Sequence, residues 1–173
     1  MSDFPDFDPN EVELTEVVEH EEAQTERSAA RRAALQVLYE VDCAKHSVGD
    51  VITTRLQEPP ALSKRAVRYL RRLVSGVMEH RHKLDTIIRQ YAPEWPLEQV
   101  AIVDRNILRM AIFELSVQIS TPVGVVIAEA VELAGLFGAE GTPRFVNGVL
   151  GALADNLDVI RKEFEPEPPE DGE

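Results

Sequence analysis

Arg27, Arg31 and Arg32 lie within six residues of one another, and Tyr39 follows Arg32 by two helical turns. Guanidinium groups on one helix can neutralise phosphates, and an outward Tyr can stack a base. On a helical wheel Arg32, Gln36 and Tyr39 fall opposite the apolar stripe Ala30, Ala34, Val37, Leu38 and Val41, with Arg31 and Leu35 at its flank. An ordinary basic surface with a boundary Tyr satisfies the same pattern, so composition leaves both readings open.

A second group sits in TPRFVNGVLGAL, residues 142–153. Val146, Val149, Leu150 and Leu153 make its buried stripe, which places Arg144, Asn147, Gly148 and Gly151 on the other side and Phe145 at an edge. Both glycines thus face a side where another backbone can come close. Arg144 and Phe145 at a helix N-terminus can hold a phosphate and stack a base, or Phe145 can simply close the core. Asp104 leans toward the stripe Val100, Val103, Ile107 and Ala111, where a carboxylate calls for a counter-charge, by default an internal base. A third basic group, Lys64, Arg65, Arg68, Arg71 and Arg72, recurs at the helical period and reads as a solvated face.

Catalytic chemistry finds no such support. Four histidines and the single Cys43 show no metal-ligand spacing, and His80 and His82, two apart, point to different sides of a helix. Phosphate-loop, nucleophile-elbow and HExxH patterns are missing. Glu129 and Glu132 share a face but lack the Glu-x-x-His partner of a carboxylate metal site. The expectation is a non-enzyme with no metal and no cofactor.

The elements that must position these residues are helices throughout. Helix is expected from Ser28 to about Lys45, over Gly49–Gln57, and from an N-cap at Ser63 through Val77 and on toward Tyr91 with a bend near Gly76. After the linker Pro93-Glu94-Trp95-Pro96, a helix apolar nearly all round covers about 97–117 and belongs at the centre. Thr121-Pro122 and Thr142-Pro143 each read as an N-cap followed by Pro at the first helical position, with Gly138 ending the helix between them. A last helix spans about 155–163. The result is an all-α fold of about seven helices in two three-helix halves.

The formal charge of −13 is unevenly spread. Residues 1–26 hold ten acidic and no basic side chains, residues 163–173 hold six more acids, and the middle is left with 15 acids against 18 bases. Both ends read as acidic, disordered, solvating tails flanking a domain at 27–162. The absence of an apolar run of about 20 residues argues against a membrane span, and MSDFPDFDPN lacks the basic start of a signal peptide. One cysteine fits a reducing compartment, so a cytoplasmic protein is expected.

VDRNILRMAIFEL, TPVGVVIAEAVELAGLFG and PRFVNGVLGAL, together with the Arg-rich start RSAARRAALQVLYEVD, resemble the family of the transcription antitermination factor NusB over about residues 27–160. That resemblance implies two three-helix halves packed across one another. It also implies a non-catalytic role: binding boxA RNA of ribosomal RNA leader transcripts together with NusE, a small-subunit ribosomal protein, within an RNA polymerase antitermination complex. Matched by position, Arg27, Arg31 and Arg32 would be one RNA contact and Arg144, Phe145 and Asn147 the second. Tyr39 and Asp104 would meet NusE, which would supply the Asp104 counter-charge. The chain departs from the family at Ala128, where Asn is usual, and at Gly141, where a polar residue is frequent. Two other readings remain: a homo-oligomeric scaffold, such as a homodimer packed through the glycine face, and a module like the RNA-binding domain that precedes some ribosomal RNA methyltransferases.

Overall fold

The computed structural model describes residues 9–167, which form eight α-helices and one short 3-10 turn. The helices are α1 (Pro9–Ala44), α2 (Val48–Gln57), α3 (Lys64–Glu79), α4 (Arg81–Tyr91), α5 (Ile102–Ser116), α6 (Val123–Phe137), α7 (Thr142–Ala154) and α8 (Leu157–Lys162). No strand occurs among the described residues. Four helices precede the Pro93–Pro96 linker and four follow it; the first half holds one more than expected because the long third helix divides at His80, and the expected last helix is the short α8.

α5 is the hub. It packs against α1, α3, α4, α6, α7 and α8, and every residue from Asn106 to Ser116 is buried. A helix apolar on nearly all faces can satisfy that apolarity only at the centre of a bundle. α1 and α3 lie against each other on one side of it, and α6 and α7 on the other. Gly76 of α3 lets the two helices close in: a Cβ there would clash with the Phe113 ring of α5. Gly76 therefore stays helical, and the expected bend lies instead at His80, which ends α3 and begins α4. The His80 ring is wedged between Phe113 and Phe164.

A charged network is buried at the same centre. Arg109 is 2% exposed, donates from Nε to Asp85 Oδ1 at 2.7 Å and from Nη1 to Asp42 Oδ2 at 3.1 Å, and so joins α5 to α4 and α1. Asn106 donates to the same Asp42 oxygen at 3.0 Å, and Arg81 reaches the other at 3.0 Å. Such a pair contributes little when intact but leaves costly unpaired charges when cut.

The ends differ from expectation. α1 begins at Pro9, so the disordered reading of residues 1–26 is corrected for 9–26, and residues 1–8 lie outside the described residues. Adding residues to an existing helix costs far less than starting one, and no Pro or Gly interrupts the chain between Asn10 and the packed segment from Ala30. At the other end Phe164 packs on the core and Lys83 donates to the Glu163 carbonyl at 2.7 Å, so the start of the expected tail is tied down. Residues 168–173 lie outside the described residues. Ser63 caps α3 as expected, accepting from the Ala66 N–H at 3.1 Å, and Gly138 ends α6. Neither Thr121 nor Thr142 serves as an N-cap, since both hydroxyls are engaged elsewhere.

Candidate nucleic-acid interface

The three arginines of α1 meet three different fates. Arg31 is 2% exposed and forks onto Glu114 of α5, with Nε to Oε2 at 2.9 Å and Nη2 to Oε1 at 2.8 Å. The Tyr69 hydroxyl of α3 donates to the same carboxylate, and Glu129 of α6 stands 3.7 Å from Arg31 and accepts from Ser28 at 2.8 Å. Burial by itself would lower the Arg31 pKa, but hydrogen bonding and attraction to Glu114 outweigh it, so the guanidinium stays charged. Burial pushes the Tyr69 phenol up, which keeps it a donor. The assignment of Arg31 to an RNA contact is thereby corrected: its flank position on α1 points it between α3 and α5, where its fork is already occupied.

Arg27 is half-buried, lying 5.4 Å over the Tyr69 ring and donating to Thr121 at 3.4 Å. Arg32, the next residue after Arg31, is half-buried on the outward side and forms no ion pair among the described residues. Farther along the same side Tyr39 is 45% exposed. It lines a cavity of about 510 Å³ with Leu35, Val103 and Phe137, an apolar hollow walled by α1, α5 and α6.

The second group forms a cavity of its own, also about 510 Å³, lined by Trp95, Val100, Asp104, Thr142, Arg144 and Phe145 among others. Arg144 and Asn147 are exposed, and Phe145 is half-buried with one side on the core and the other on this cavity. Asp104 accepts from the Thr142 hydroxyl at 3.1 Å, which ties the first turn of α5 to the first turn of α7. The expected internal base is thus replaced by a hydroxyl. Burial pushes the Asp104 carboxyl above its ordinary value, and the Thr142 hydrogen bond only partly opposes this. The cavities are neighbours: Val103 lines one and Asp104 the other, and Phe137 and Ala139 do the same across the α6–α7 connection.

Some residues of this surface were not singled out from sequence. Trp95, 56% exposed, belonged to the linker, yet it stands at the rim of the Phe145 cavity. Its Pro-flanked segment has no helical periodicity to assign it a face, so spacing carries no signal for it. Val103 gives none, because it sits on a stripe that reads as core, and Phe137 closes the last turn of α6 just before Gly138. Gly148 and Gly151 are exposed, and a Cβ on either would meet nothing within 4 Å.

Comparison with known proteins bears on the whole surface. Residues 28–155 match the sequence model of the NusB family. The transcription antitermination protein NusB of Chloroflexus aggregans is 47% identical over 131 residues, which span 75% of this chain and 87% of that one. A solved structure of T. maritima NusB superposes with a TM-score of 0.67 at 32% identity, covering 82% of this chain and 94% of its own. A crystal structure of the antitermination factors NusB and NusE in complex with double-stranded RNA gives a TM-score of 0.69 at 29% identity, covering 81% of this chain and 98% of the matched one.

Proposed function

The chain belongs to the NusB family, and from that membership we propose that it acts in the cytoplasm as a non-catalytic transcription antitermination factor, binding boxA-type leader RNA together with NusE to sustain ribosomal RNA transcription by RNA polymerase. The observation that carries this reading is the pair of adjoining cavities at the first turn of α5. One offers Trp95, Phe145 and Arg144, which suits unstacked bases and a phosphate. The other offers Tyr39, Val103 and Phe137, an apolar hollow with an aromatic rim that suits a protein surface. RNA and a protein partner seated there would touch each other as well as this chain.

Within that reading Arg27, Arg32, Arg144, Phe145 and Asn147 contact RNA, and Tyr39 and Asp104 contact NusE. Among the described residues Asp104 has only a hydroxyl partner, so a basic residue of NusE approaching it would complete the pair. The functional unit is residues 27–162. Titration of labelled boxA RNA with and without NusE tests the proposal: binding should tighten when NusE is present. Absence of binding in both conditions would overturn it.

A further inference from the structure

Between α1 and α3 lies a third concavity, of about 320 Å³, walled by Arg27, Arg65, Arg68 and Arg72 with Ala23, Glu26 and Tyr69. Arg65, Arg68 and Arg72 stand at i, i+3 and i+7 of α3, so they share one face, and packing of α3 on α1 turns that face toward Arg27. The five-residue basic group of α3 is therefore not one uniform solvated face. Three of its members converge on an arginine of another helix, whereas Lys64 and Arg71 share a different face and do not line the trough. Among the described residues four guanidinium groups meet one carboxylate, Glu26, and Arg65, Arg68 and Arg72 make no salt bridge.

We propose that this trough is a further RNA contact, which holds the phosphodiester backbone of the single-stranded RNA flanking boxA. The proposal rests on the RNA-binding reading above and extends it to residues of α3. Its chemistry is that of backbone rather than base. The only aromatic among the described lining residues, Tyr69, is buried, both Arg27 and Arg31 lie 5.4 Å over its ring, and its hydroxyl is engaged by Glu114. No stacking surface is left, so the trough recognises charge without reading sequence. Arg27 is held in place by Thr121 and by the Tyr69 ring, which limits the side-chain freedom lost on binding. Arg27 stands twelve residues before Tyr39 on one helix, about 18 Å at the helical rise. An RNA seated at the first turn of α5 must therefore run on past its recognised core to reach the trough.

The test compares two double variants of equal charge. R65A/R72A removes trough arginines, and K64A/R71A removes the same charge from the neighbouring face. Each is titrated, in complex with NusE, with boxA RNA alone and with boxA RNA extended on its 5′ or 3′ side, over a range of salt. Phosphate contacts to a single strand contribute about 0.7 each to the salt slope of log affinity. R65A/R72A should lower the slope by roughly 1.4 on one of the extended RNAs and leave the unextended RNA nearly unchanged, with K64A/R71A having less than half that effect. Equal effects of the two variants would overturn the trough in favour of general surface charge. Loss of NusE binding by R65A/R72A with the RNA slope intact would overturn it in favour of a protein contact. If R65A/R72A changes nothing while Arg32→Ala still weakens binding, the trough falls and the RNA-binding reading stands; if wild-type protein binds none of these RNAs, both fall.

Discussion

Arg31 and Arg32 are neighbours in sequence and opposites in the fold. Arg31 belongs with Arg109 to a buried set, each forked onto carboxylates of other helices. Arg32 belongs with Arg144 and the trough arginines to a set that meets solvent. Buried guanidinium groups hold α1, α3, α4 and α5 in register, and outward ones remain available to a polyanion. The difference teaches that an Arg-rich helix start is two devices interleaved at the helical period, one that orients helices and one that faces a ligand.

The largest effect should come from Arg109→Ala, which leaves Asp42 and Asp85 without their shared partner. Cutting a buried pair costs about 3–5 kcal/mol, measurable by urea unfolding. A loss below about 1 kcal/mol, the range of an exposed pair, would break the division between the two sets.

Arg31→Met should destabilise on a comparable scale, because Glu114 is then buried without its cation. Arg31→Met combined with Glu114→Leu should recover most of the loss, since replacing both members of a buried pair by apolar residues is often near neutral. Thermal melts of the two single variants and the double variant check this, and additivity would show that the pair is not a unit.

Arg32→Ala should behave in the reverse way. Stability should change by no more than about 0.5 kcal/mol, while the salt slope of RNA affinity falls by roughly 0.7. An unchanged slope, in a titration against boxA RNA with NusE, would move Arg32 out of the ligand-facing set.

The smallest effect concerns Asp104. Burial raises its pKa above the ordinary 3.8, so the folded state holds that proton more tightly than the unfolded state does. Its contribution therefore favours the folded protein at low pH and is lost as pH rises from 3.8 through the raised folded value. Asp104→Asn should remove that slope from a pH series of urea melts. Wild-type and variant curves that stay parallel would show that the carboxyl carries no such penalty.

The helical character of the chain, most of its buried stripes and the linker at Pro93–Pro96 were legible because helical periodicity is a local property of the sequence. Ala30, Ala34, Val37 and Leu38 are buried where the spacing put them, as are Val146, Val149, Leu150 and Leu153. Ser63 and Gly138 end their helices because capping depends only on nearby backbone. Thr121 and Thr142 failed as caps for the opposite reason: their hydroxyls find distant partners, Arg27 and Asp104. Trp95 joined the Phe145 cavity through a chain reversal that periodicity cannot express.

Sequence by itself determined which residues are helical and which stripe of each helix is apolar, since both follow from spacing along one segment, while its motifs carried the family resemblance. Tertiary structure alone decided which arginines are spent internally. Arg31 is committed because Glu114 and Tyr69 arrive from helices 83 and 38 residues away. Arg65, Arg68 and Arg72 become a trough because Arg27 faces them across α1 and α3. A charge is structural or available according to what stands opposite it, and that is a property of packing between segments.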